Sequence, residues 1–472
     1  MSNALVMLES ITLLLPGQKA RIFLITCGAV FMTGLDNLIV TIALPMIRKN
    51  LSINANDLTW TVNAYMLTYA VFMLGAAILG DKLGRRKIFQ VGLAVFIVGS
   101  AMAALPSNVV IFGIARAVQG LGAAILMPLS LTLLIEHVPN EQRKLAIACW
   151  SATQGLATAI GPFVGGIIIA YFDWRWIFWI NVPIGLILIP IVSRTLKNSQ
   201  PRKNEQLDII GQIMLAVGLF SIVLGTMRGS NIGWFKLESS GIAFTGILIM
   251  YLFFFHREPR LKVPLIPLHL FQTRGFTMTN FTAFFVCAGM YGIVFLLSQY
   301  IQIVLKYSPL ATGISILPWT LLPILTAPPA AILSHKWGMR PLMITGTTLQ
   351  CFALIWFALN VNPKIEYIQL LPGMLLAGLG MGLFFALIAA QALSFVESQF
   401  DGVASGLNNS VRQIGIMSGI ALITSVFTAV GGEATDTGFE VGIYFALWLA
   451  VALLSLAILS SIITPSRGCA TQ

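Results

Sequence analysis

Gly80-Asp81-Lys82-Leu83-Gly84-Arg85-Arg86-Lys87 packs five charges, four of them positive, into eight residues between two long apolar runs. Residues 58–79 before it and 88–105 after it are each long enough to cross a bilayer as a helix. A short basic loop between two spans belongs on the cytoplasmic side. Its two glycines permit the tight reversal that antiparallel helices demand. The direction of every other span follows from this loop.

Apolar runs recur outward from it along all 472 residues, of which 57% are hydrophobic and 10% charged. Soluble domains carry roughly 25% charged residues. The runs predict fourteen spans, at 21–47, 58–80, 88–105, 109–135, 145–172, 176–193, 208–228, 238–255, 276–303, 311–333, 341–360, 367–396, 402–430 and 440–463. An even number places both termini in the cytoplasm. The polar connections 194–207 and 256–275 bracket a two-helix unit, 208–255. The expected fold is an all-α membrane protein with fourteen transmembrane helices arranged six, two and six. Its parts are an interfacial lead (1–20), a six-helix bundle (21–193), linkers with two inserted helices (194–275), a second six-helix bundle (276–463) and a tail (464–472).

The formal charge of +11 is explained by its placement. Most of the 28 Lys and Arg fall on the side of the 80–87 loop, and only Arg116 and Arg412 lie within spans. That is the positive-inside pattern, and it requires no nucleic acid or other acidic partner. No basic patch with interleaved aromatics appears. Cys27, Cys149, Cys287 and Cys351 fall inside apolar runs and Cys469 near the end, with no spacing that implies a disulfide framework or a metal site. The four histidines sit in or beside loops, unpaired at ligand spacing. No GxxxxGK[ST] loop is present, which argues against an ATP-driven pump, and no nucleophile–base–acid set suggests an enzyme. Met1–Pro16 is apolar but has Glu9 and no basic start, so it reads as an interfacial lead-in rather than a signal peptide.

The two six-helix blocks look related. Leu79 to Arg86 matches Leu333-Ser334-His335-Lys336-Trp337-Gly338-Met339-Arg340 at the leucine, the lysine, the second glycine and the last arginine. Each segment follows the second helix of its block. Such a repeat suggests alternating access around a midplane cavity. His335 replaces Asp81, so the two loops cannot act identically.

Of seventeen acids, only Asp36 lies well inside a span. A carboxylate there is costly unless it faces a cavity or a partner. Arg116 enters the bilayer from the same side at a similar depth and is the natural partner. A carboxylate keeps its charge beside an arginine and takes up a proton in a dry cavity, so moving between the two is a route to proton exchange. The competing reading of Arg116 is structural, with the guanidinium bonding carbonyls of neighbouring helices. Arg412, in the thirteenth span, is a second intramembrane cation, with Asn408, Asn409 and Gln413 beside it. The fifth span carries Gly155, Gly161, Pro162, Gly165 and Gly166: the proline removes a backbone donor and Gly161/Gly165 have the spacing of close helix packing. Polar and aromatic residues within spans include Asn63, Tyr65, Trp150, Gln154, Tyr291, Gln299, Trp319 and Gln391. They are candidates for a substrate cavity beside Arg412, against the alternative that aromatics pack or anchor at the interface.

These residues resemble the fourteen-helix drug:proton antiporters of the major facilitator superfamily over essentially the whole chain. The 80–87 loop is similar to the signature between helices 2 and 3. Arg116-Ala-Val-Gln119-Gly120-Leu-Gly122-Ala-Ala124 resembles the helix 4 signature, and Gly155 to Gly166 the antiporter signature of helix 5. Leu35-Asp36 with Ala43-Leu44-Pro45 resembles the helix 1 signature, and Trp174 to Pro183 the helix 5–6 turn. The resemblance implies a major facilitator fold in the bacterial inner membrane, no cofactor, and a proton gradient as the energy source. By it Asp36 is the protonatable carboxylate and Arg116 takes part in coupling. Gly80, Asp81, Gly84, Arg85 and Arg86 form a cytoplasmic gate, and 208–255 is an insertion.

Leu38 and Thr41 stand where the helix 1 signature usually has Thr and Asn, and spans 10 and 13 lack the mid-span acids of members that export divalent cations. A neutral, monovalent or anionic hydrophobic substrate is therefore reasonable. The leading expectation is proton-coupled export of such molecules. The alternatives are an importer or dedicated metabolite exporter of the same fold, and a membrane receptor that does not transport. Short outward loops offer little for a periplasmic adaptor to dock on.

Overall fold

The computed structural model describes residues 18–465 apart from 52–54, 107, 140–142, 197–207, 234–235, 262–263, 265, 363–364, 398–399 and 433–435. The lead to residue 17, most of the 194–207 connection and the tail from 466, with Cys469, lie outside the described residues.

In a bilayer the backbone must satisfy its own hydrogen bonds, so apolar runs of this length become helices. They are α1 (Gln18–Leu51), α2 (Ala55–Leu83), α3 (Arg85–Ala104), α4 (Val109–His137) and α5 (Arg143–Tyr171). Next come α6 (Trp176–Thr195), interrupted at Ile180, then α7 (Ile209–Ile232) and α8 (Leu237–Tyr251). The last six are α9 (Arg274–Ile303), α10 (Pro309–Trp337), α11 (Met339–Asn360), α12 (Tyr367–Leu393, interrupted after Phe385), α13 (Asp401–Ala429) and α14 (Asp436–Ile463). No strand occurs among the described residues. Thirteen helices are long and apolar enough to span, and the bent α2 makes the fourteenth. Side-chain oxygens at Asn108, Asp208 and Ser308 accept from backbone amides to start α4, α7 and α10, satisfying donors that a helix start leaves open.

The neighbour pattern repeats. In the first six helices α1 packs on α5 and α6, α2 on α4, and α3 on α4 and α6; eight helices later α9 packs on α13 and α14, α10 on α12, and α11 on α12 and α14. Two seams join the blocks, α2 against α13 and α5 against α10. The inserted helix α7 lies on α2 and α13, beside the first seam, and α8 packs on α7. Along α8, Phe244, Ile247, Leu248 and Tyr251 stay exposed, an apolar face suited to lipid.

α2 bends by 51° between Trp60–Met73 and Gly75–Leu83. The cause is tertiary. Gln212 of α7 donates its amide to the Val71 carbonyl, the acceptor that the Gly75 N–H uses in a straight helix. A Cβ on Gly75 would stand 2.0 Å from Gln212 Oε1, so glycine there makes room for the intruding side chain.

Candidate functional site

Two glycines seat α4 between its neighbours. A Cβ at Gly120 would lie 2.3 Å from the Tyr65 carbonyl of α2, and one at Gly122 would lie 2.5 Å from the Phe96 amide of α3. This close approach aims Arg116 and Gln119 at α1. Arg116 Nη1 donates to Asp36 Oδ2 at 2.6 Å and to Gln119 Oε1 at 2.6 Å. Gln119 Nε2 donates to Asp36 Oδ1 at 2.9 Å and to Ser100 Oγ at 2.7 Å. Asn181, where α6 resumes after its break, donates to the same Ser100 oxygen at 3.2 Å. Five polar side chains from α1, α3, α4 and α6 thus form one network, with the Asp36 and Arg116 side chains 0% and 1% exposed.

The arrangement fits a charged pair. Both Asp36 oxygens accept, as an ionised carboxylate does. The guanidinium carbon of Arg116 stands 4.3 Å from the centre of the Tyr65 ring and 5.6 Å from that of Phe178, contacts that help hold a buried cation. Burying two charges costs several kcal/mol per ion, a cost that the added hydrogen bonds between Gln119 and both partners help to offset. A proton on Asp36 would cancel the negative charge that strengthens its bonds to Arg116 and Gln119 and would leave the Arg116 cation buried without its counter-charge. Protonation is therefore tied mechanically to the packing of α1 on α4. Arg116 Nε and the Tyr65 hydroxyl, both closed to solvent, have no hydrogen-bond partner among the described residues.

At one end of the bundle, Gly84 reverses the chain with φ 102°, a backbone conformation that favours glycine. Arg85 then pairs with Asp81 at the end of α2 and with Glu136 at the end of α4. Gly80 closes the contact: a Cβ there would meet Leu129 at 2.3 Å. Arg86 Nε is buried and has no hydrogen-bond partner among the described residues. In the repeat, Gly338 also has a positive φ, 83°, but Met339 stands in the place of Arg85, and Arg340 donates to the Ile462 carbonyl of α14.

α5 divides its glycines. Gly161 and Gly165 lie against α1, where Cβ atoms would come 3.1 Å from the Leu35 carbonyl and 2.9 Å from the Ile39 carbonyl. Gly166 and Pro162 face α10: a Cβ on Gly166 would meet the Pro309 carbonyl at 2.8 Å, and one on Gly313 the Pro162 carbonyl at 2.5 Å. Gly155 meets nothing within 4 Å.

The remaining candidates separate. Asn63 and Tyr65 are fully buried, the latter under Arg116. Trp150 donates to Ser130 at 3.0 Å, and Gln299 donates to the Phe295 carbonyl of its own helix at 3.2 Å. Trp319 stacks on Phe357 with centroids 5.8 Å apart, which places it in the packing of the second block. Gln391 is buried near the end of α12, Gln154 is partly exposed on α5, and Tyr291 lies near Arg412. Ser100 was not legible as a site residue, being an ordinary serine in an apolar span. Gln119 and Asn181 lay inside the motifs without an assigned role, and Glu136 without any motif at all. A polar residue one helical turn from Arg116 was the available signal for Gln119.

A sequence model of the Major Facilitator Superfamily matches residues 26–420. The chain is 30% identical over 400 residues to "Multidrug resistance protein Stp" of Mycobacterium tuberculosis, covering 84% of this chain and 74% of that protein. It is 30% identical to "Methylenomycin A resistance protein" of Bacillus subtilis over 90% of this chain and 91% of the other. It is 27% identical to "Multidrug export protein EmrB" of Escherichia coli over 88% and 81%. Among solved structures, the partially occluded inward-open xylose transporter XylE from E. coli superposes with a TM-score of 0.64 at 14% identity, covering 93% of this chain and 96% of that one. With its fourteen helices and repeated six-helix blocks, the chain belongs to the major facilitator superfamily.

Proposed function

We propose that this chain exports hydrophobic small organic molecules across a bacterial inner membrane in exchange for protons, by alternating access between the six-helix blocks. The observation that carries this reading is the buried Asp36–Arg116–Gln119 network, in which proton uptake at Asp36 weakens the charge-assisted bonds that hold α1 to α4. The similarity to multidrug and antibiotic resistance proteins supports export as the direction. The basic end, with the 80–87 loop and both termini, faces the cytoplasm on this reading. There Arg85 clamps α2 to α4 as part of a gate. The seam of Pro162 and Gly166 against Pro309–Gly313 closes the opposite side, and residues 194–275 hold an insertion between the two blocks.

The test uses purified protein in liposomes with an imposed pH gradient and a panel of cationic, neutral and anionic dyes. Wild type moves protons when a substrate is added; Asp36→Asn does not. Undiminished coupled flux in the variant removes Asp36 from the mechanism. A second reading, a dedicated exporter of one compound class, is favoured by the similarity over nine-tenths of both chains to a protein named for resistance to a single antibiotic. Flux confined to one member of the panel would select it.

A further inference from the structure

Arg412 lies eleven residues past the start of α13, about 17 Å along the helix, near the middle of a bilayer core roughly 30 Å thick. Its guanidinium carbon sits 4.7 Å from the centre of the Phe385 ring of α12. The Cys287 thiol of α9 lies against it, and the buried Tyr69 of α2 and Tyr291 of α9 stand within its field. Asn409, three residues back along α13, lies beside the Tyr69 hydroxyl. Four helices, one from the first block and three from the second, converge on this cation.

Arg412 is in none of the ion pairs among the described residues. Its Nε is closed to solvent and has no hydrogen-bond partner there. Asp36, the carboxylate within a span, is held by Arg116 and Gln119 and is not available to it. An intramembrane arginine held only for structure bonds carboxylates or helix carbonyls; no such bond from Arg412 is present among the described residues. Among the described residues the charge is therefore left without a counter-ion, between an aromatic face and the hydroxyl and thiol groups of Tyr69, Tyr291 and Cys287. A cationic ligand would meet a like charge here. A ligand with one negative group would meet a planar fork of donors beside rings on which its apolar body can lie.

We propose that Arg412 anchors the substrate: this seam takes amphiphilic aromatic compounds bearing a carboxylate or a comparable single anionic group, with the anion on the guanidinium and the ring against Phe385. The proposal rests on the transport reading above and names its substrate class.

The experiment measures binding of fluorescein, an aromatic carboxylate, and of rhodamine 123, a cation with the same ring system, to the purified full chain in detergent by fluorescence anisotropy. Without a membrane or a pH gradient, its outcome is independent of proton coupling, so it can fail while the Asp36 test succeeds, and the reverse. Fluorescein is expected to bind saturably, tenfold or more weakly to Arg412→Gln, and to Arg412→Lys with an affinity between those of wild type and Arg412→Gln, since the lysine keeps the charge but not the fork. Rhodamine 123 is expected to bind Arg412→Gln as well as wild type or better, which also shows that the variant is folded. An unchanged fluorescein affinity in Arg412→Gln overturns the proposal. So does the absence of saturable fluorescein binding to wild type.

Discussion

The two six-helix blocks share one set of helix contacts and differ in where they put charge. In the first, Asp36 and Arg116 neutralise each other inside a five-residue network, and Arg85 is clamped by two acids. In the second, Arg412 has no acid paired with it among the described residues, and Met339 occupies the position of Arg85. The frame needs only small residues at the crossings and apolar surface outside, which both blocks supply. Charge is costly anywhere in it, so each buried ion marks a place where the halves do different work. On the proposed reading, proton handling belongs to the first half and ligand handling to the second.

Removing one cation from each half is the largest test of that contrast. Arg116→Ala leaves Asp36 buried alone and is expected to cost about 3–5 kcal/mol, read as a large fall in thermal stability in detergent. Arg412→Gln removes a charge that has no ionic partner and is expected to stay within about 1 kcal/mol of wild type. Equal losses in the two variants would erase the distinction.

Next is the close approach that aims Arg116. Gly120→Ala drives a methyl group into the Tyr65 backbone, and overpacking of this kind costs about 1–3 kcal/mol. Gly155→Ala, on another glycine-bearing helix but at a position that faces open space, is expected to change stability by less than about 0.5 kcal/mol. The same thermal measurement decides both.

Smaller again is the loop contrast. Arg85→Ala removes charge-assisted bonds worth about 1.5–3 kcal/mol each before solvent screening, and transport in liposomes is expected to fall about tenfold. Met339→Ala, at the matching position of the second loop, is expected to leave transport near wild type. A matching loss at Met339 would show that the two loops act alike.

Much of the fold was legible in the sequence, because apolar length alone sets the number of spans. The Asp36–Arg116 pair was legible too, since depth along two antiparallel helices can be counted. What escaped was tertiary. The bend of α2 has no proline to announce it and comes from Gln212, on a helix far along the chain. Ser100 and Asn181 complete the Asp36 network but are ordinary polar residues until folding brings them to Gln119. The glycines of α5 form one motif in sequence, yet Gly161 and Gly165 serve α1, Gly166 serves α10, and Gly155 serves neither. A motif gives spacing; only packing tells which neighbour each position meets.

The most direct test of the central claim asks whether Asp36 is the group that gives up a proton when substrate binds. Purified protein in weakly buffered detergent would be mixed with a transported compound while a pH indicator is followed. The account predicts that wild type, started at a pH low enough to protonate Asp36, releases a proton on binding as the carboxylate re-forms its bonds to Arg116 and Gln119. Asp36→Asn is predicted to release none, with the compound still bound. Equal release from the variant would place the exchanged proton elsewhere and contradict it.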